Sequence, residues 1–134
     1  MASTPRGEQR LTPKRILLAT GIRERTRPAR LVSGDRPANV LTTGALQRLV
    51  AEGVRLPFRR PLIVGSELVS FSAVLTLRDH AITPVAMLEA GERIVTRKPG
   101  DTVAPKLLGT PVLLKHRIVS INASPTDASK LAAV

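Results

Sequence analysis

Cysteine is absent from the 134 residues. No disulfide, thiolate zinc site or redox dithiol can be built from this chain. Tryptophan and tyrosine are absent too, and two phenylalanines make up the whole aromatic complement. The stacking platforms on which nucleic-acid modules rest are therefore missing. Long apolar runs are lacking: none approaches the roughly 20 residues that a bilayer span requires. The first ten residues, MASTPRGEQR, carry no apolar h-region of a secretory signal, and the cytoplasm is the expected location.

What is present is aliphatic and basic. Apolar residues make up 43% of the chain, enough for one modest domain with a core of Leu, Val, Ile and Ala. The formal net charge is +11, which draws polyanions: nucleic acid, anionic membrane or phosphate-bearing cofactors. Residues 1–36 hold nine Arg or Lys against three acids, a net of +6, and the remainder supplies +5. Solvated arginines account for such an excess equally well.

Along the chain, residues 1–14 read as loose. RILLATG (15–21) reads as a short buried strand, Ile16 to Ala19, closed by Gly21. Residues 22–39 are loop-like, broken by Pro28, Gly34 and Pro37. TTGALQRLVAEG (42–53) reads as a helix capped by Thr42 or Thr43, with Leu46, Leu49 and Val50 on one face and Gly53 as its stop. A strand at 62–64, a helix from about 67 to 79 and a strand at 85–89 follow, with Pro84 just ahead of the last. Residues 90–107 are irregular or weakly helical, 111–122 hold one or two strands, and 123–134 read as a frayed, disordered tail. Strand, helix, strand alternation predicts an α/β fold with a parallel pair. In the helix after Gly65, Leu68, Phe71 and Leu75 share a face, while Val69, Val74 and Leu77 cover much of the rest. That pattern predicts burial on more than one side.

The turn within PLIVGSELVSFS carries the chemistry. Leu62-Ile63-Val64 leads into Gly65 and then directly into a helix, as in the dinucleotide fingerprint G-x-G-x-x-G. Gly65 can make the tight turn. The second and third glycine positions hold Glu67 and Ser70. Glu67 places an anionic side chain where a pyrophosphate would meet the helix N-terminus, and can itself satisfy the positive end of the dipole. Glu89 ends the following strand 24 residues after Gly65, near the place of the acid that holds a ribose 2′-hydroxyl. Gly65, Ser66, Glu67 and Glu89 are thus candidate cofactor contacts.

RILLATGIRERTRPARLVSGDRP resembles the segment of pyridine nucleotide-disulfide oxidoreductase-type flavoproteins that closes over FAD through an Ala-Thr-Gly strand end. NVLTTGALQRLV followed by RRPLIVGSELVSFSAVLTLR is similar to FAD-dependent dehydrogenase subunits of the hydrogen cyanide synthase and opine oxidase type. The resemblance spans residues 10–122. It implies a flank of an FAD-binding domain over 15–57 and a Rossmann-like, three-layer NAD(P)-type domain over 58–122. It places Ala19, Thr20 and Gly21 near the FAD. It implies oxidation of an amine or amino-acid-type substrate through FAD, with electrons passed to another acceptor or a second oxidoreductase subunit, and no dependence on NAD(P) at the degenerate turn. The missing cysteine removes the disulfide-reductase branch. The family's own FAD fingerprint does not precede residue 15, and nothing after 122 resembles its second FAD-contacting stretch. The chain is therefore expected to be an internal fragment, inactive in isolation.

Two alternatives stand beside this reading: a basic nucleic-acid module contacting phosphates through RERTRPAR (23–30), and a non-catalytic subunit docking on a larger flavoprotein. No catalytic acid, base or nucleophile can be named. VGSELVS is not the G-x-S-x-G elbow. His80 and His116 have no local partners for a metal, and Glu24 and Asp35 read as charge partners of the arginines around them.

Overall fold

The computed structural model describes residues 2–19, 21, 24–98, 106 and 108–133. In chain order the elements are β1 (Ala2–Thr4), β2 (Gly7–Gln9), a single 3-10 turn (Pro28–Arg30), β3 (Ser33–Gly34), α1 (Thr43–Ala51), β4 (Leu62–Val64), α2 (Leu68–Asp79), β5 (Ala86–Glu89), β6 (Val112–Leu114), β7 (Ser120–Ser124) and β8 (Asp127–Ala133).

The central unit is a parallel sheet in the order β4-β5-β6. Ile63, Met87 and Val112 lie in register across it, and α2 provides the crossover from β4 to β5. This is the predicted α/β arrangement. Phe71, Ala73, Val74 and Leu77 of α2 pack with Leu46 of α1 over Ile63 and Met87, and these residues form the core. Full burial of each such Leu, Phe or Met stabilises the fold by roughly 1.5–3 kcal/mol. The expectation that α2 is buried on more than one side does not hold. Leu68 and Leu75 are 75% and 51% exposed, while Val74 and Leu77 are fully buried. The aliphatic composition of α2 hides a single inward stripe of positions 70, 71, 73, 74 and 77. The third layer of the expected Rossmann-like arrangement is not among the described residues.

Both helices end by local chemistry. The Thr42 hydroxyl caps α1 by accepting the Ala45 N–H at 3.2 Å. Gly53, at φ +73°, reverses the chain so that its N–H donates to Val50 and that of Val54 donates to Leu49, the Schellman closure. α2 closes in the same way with a less suitable residue. Ala81 stands at φ +55°, its N–H donating to Arg78 and that of Ile82 to Leu77.

A second sheet has the order β3-β7-β8. Ser33 and Gly34 run parallel to Ser120 and Ile121, so the whole unit of residues 43–114 is inserted in the chain between two neighbouring strands. The approach at Gly34 is close enough that a Cβ would strike the Ile121 backbone, and its φ is +97°. Arg27 braces the adjoining loop, donating to the carbonyls of Val32, Gly34 and Asp35.

Several segments differ from expectation. Residues 15–19 form no strand, and Ile16, Leu17 and Leu18 are 76–90% exposed. An apolar run becomes a buried strand only where something covers it, and no strand among the described residues pairs with this one. The stretch 1–14, expected to be loose, contains the antiparallel β1-β2 hairpin. The tail expected from 123 is instead the β7-β8 hairpin. Its turn is built by Pro125 after Ser124, whose hydroxyl lies 3.0 Å from that of Thr126.

Candidate functional site: the Gly65 turn and Glu89

β4 and β5 deliver the candidate residues to one end of the sheet. Gly65 leaves β4 at φ +109°, and its N–H donates to the Leu88 carbonyl at 2.7 Å. The space a Cβ would fill at Gly65 is taken by the Glu67 carboxylate, with the Ser70 hydroxyl beside it. Glu67 is the N-cap residue of α2, with an extended backbone at φ −71°, ψ 164°. Its Oε2 accepts the Ser70 hydroxyl at 3.1 Å, and its Oε1 lies 3.9 Å from Arg30 Nη2. Both side chains of that ion pair are more than a third exposed, so the pair contributes at most about 1 kcal/mol. The carboxylate thus folds back over the turn, into the space beside Gly65.

Ser66 and Glu89 lie behind it. Ser66 is fully buried and Glu89 is 8% exposed. The Ser66 hydroxyl donates to Glu89 Oε2 at 2.5 Å and accepts the Val95 N–H at 2.9 Å. The Ser66 carbonyl accepts the N–H of Thr96 at 3.1 Å, and Glu89 Oε1 accepts that of Gly91 at 2.8 Å. Burial alone raises the carboxyl pKa of Glu89 and is the largest single influence. The bonds from the Ser66 hydroxyl and from the N–H groups of Gly91, Ser66 and Ala90 together outweigh it, and hold the pKa below the ordinary glutamate value. A buried carboxylate supplied with donors stays ionised. Beside it, residues 91–96 form a strap tied to the turn through the hydroxyl and the carbonyl of Ser66.

The predicted residues do not all converge. Gly65, Ser66, Glu67 and Glu89 meet. Ala19 and Gly21 are exposed, no hydrogen bond among the described residues ties them to the turn, and Thr20 lies outside the described residues. Among the described residues, Glu24 and Asp35 form no ion pair with an arginine. Glu24 Oε2 accepts the Gly44 N–H at 2.8 Å, in the first turn of α1 where the helix dipole favours an acid. Asp35 Oδ2 accepts the Ala123 N–H at 2.8 Å, pinning β7. The Nδ1 atoms of His80 and His116 lie against the carbonyls of Thr76 and Leu114. Sequence reasoning missed Arg30 and the strap residues Val95 and Thr96, because no spacing rule links them to the turn.

The described residues include two open hollows of about 330 Å³. One is lined by Arg27, Pro28, Val32, Arg36 and Val40 among others, the other by Arg93, Ile94, Val95, Thr96 and Lys98. No helix among the described residues is long and apolar enough to cross a membrane. The Ser66 hydroxyl proton is directed to the Glu89 carboxylate, and among the described residues no histidine is bonded to either residue. Comparisons with family models, with curated proteins and with solved structures give no match.

Proposed function

We propose that the chain is the NAD(P)-type, Rossmann-like portion of an FAD-linked oxidoreductase, with its dinucleotide phosphate position occupied by Glu67. The observation that carries this reading is the β4-α2-β5 crossover, whose Gly65 turn faces the acid at the end of β5. The insertion of that unit between β3 and β7 supports it further, since the resembled flavoproteins place an NAD(P)-type domain within an FAD domain. Substrate electrons, from an amine or amino-acid-type donor, pass through FAD held near residues 19–21. NAD(P)H does not dock at the turn, because a carboxylate stands where its pyrophosphate would lie.

A thermal melt of the chain, alone and with NADH or FAD, tests this. A ligand that binds only the folded form raises the midpoint. FAD is expected to raise it and NADH to leave it unchanged. A rise with NADH removes the claim about Glu67, and a midpoint unmoved by FAD removes the flavin contact at residues 19–21.

A further inference from the structure

Glu89 is a buried, ionised carboxylate at the end of β5, and one of its oxygens is occupied by the hydroxyl of Ser66 at 2.5 Å. In a dinucleotide unit the acid at this place accepts the 2′-hydroxyl of a ribose. We propose that Ser66 is the specificity-determining residue of the turn: its hydroxyl takes the position of the ribose hydroxyl on Glu89 and excludes nucleosides independently of Glu67. The inference rests on the dinucleotide-type reading of the turn and goes beyond it in assigning the ribose side of the site to a separate residue.

Three features carry it. The bond is donated in the sense a ribose hydroxyl would use, O–H to carboxylate, and it is charge-assisted and short. Ser66 has no access to solvent and its hydroxyl already occupies Glu89 Oε2, so a ribose hydroxyl at that oxygen competes with it. The Ser66 hydroxyl also accepts the Val95 N–H, and its carbonyl accepts that of Thr96. The same residue therefore holds the 91–96 strap closed beside Glu89. Ser66 and Glu67 fill the two halves of the site with the chain's own atoms, a hydroxyl for the ribose and a carboxylate for the phosphate.

The test uses ligands that separate the two halves. Adenosine carries the ribose without phosphate, 2′-deoxyadenosine lacks the hydroxyl, and NADH carries both ribose and pyrophosphate. Binding is measured by calorimetry on the full chain, as wild type, Ser66→Ala, Ser66→Thr, Glu67→Gly and the Ser66→Ala/Glu67→Gly double variant. Adenosine is expected to bind Ser66→Ala at least about 10-fold more tightly than wild type, the worth of one hydrogen bond to a charged group. 2′-Deoxyadenosine should gain nothing, and Ser66→Thr, which restores a hydroxyl, should return to wild-type behaviour.

If adenosine binds Ser66→Ala no better than wild type, or 2′-deoxyadenosine gains equally, the inference is overturned. NADH binding to Glu67→Gly with Ser66 intact also overturns it, while leaving the reading of Glu67 in place. Adenosine binding to Ser66→Ala without NADH binding to the double variant has the opposite meaning: Ser66 is assigned correctly and the phosphate reading fails. Should Ser66→Ala not fold, Ser66→Cys carries the same comparison, keeping the volume and offering only a weak S–H donor.

Discussion

The Ser66 hydroxyl and the Glu89 carboxylate, 23 residues apart in the chain, meet at 2.5 Å with both residues buried. The bond joins the turn that leaves β4 to the end of β5. Because β4 and β5 are already paired in register, it locks the mouth of the sheet rather than its body.

Acidification should weaken this lock. Glu89 has a lowered pKa in the folded chain, so the stability it contributes is complete above the unfolded glutamate value of about 4.3. It is lost as pH falls through the folded value. Glu89→Gln is expected to cost roughly 1–3 kcal/mol at pH 7, and its deficit relative to wild type should shrink below about pH 4. Denaturant melts of both proteins from pH 7 to pH 3 check this, and a deficit that stays constant over the range rules out the ionised Glu89 described above.

Ala81 offers the opposite kind of change. It closes α2 at φ +55°, a conformation that an L-residue with a Cβ adopts at a cost of about 1–2 kcal/mol. Ala81→Gly should relieve much of that and raise stability by about 0.5–1 kcal/mol, against the extra freedom glycine has when unfolded. A fall in the denaturation midpoint would show that the Schellman closure is not formed.

Leu75 and Leu77 lie two positions apart on α2 with opposite surroundings, 51% and 2% exposed. Leu77→Ala should cost about 2–5 kcal/mol as a cavity opens. Leu75→Ala should stay within about 0.5 kcal/mol. Equal losses would mean that α2 is covered on both sides, as its composition alone suggests.

That contrast marks how far the residues speak for themselves. The Thr42 cap, the Gly53 stop and the Gly65 turn are interactions within a few positions, and each is legible in the local sequence. Glu89 is legible as an acid at a strand end, by its distance from the turn. Its partner Ser66 was placed at the site, but the bond between them depends on the register of β4 and β5, which no local pattern prints. Arg30 beside Glu67, and Val95 and Thr96 on Ser66, are contacts between elements and were invisible for the same reason. The run Ile16 to Leu18 misled because hydrophobicity records what a segment can bury, not whether a cover is present.

The pairing of β3 with β7 has a consequence for how the chain can vary. Gly34 and Ile121 touch through their backbones, so the points where the chain leaves for the α/β unit and returns from it are brought close together. Closing a long connection costs little more entropy than closing a shorter one. The α/β unit is thus a module set in a socket. It can lengthen, shorten or be exchanged while the two strands that receive it keep their register.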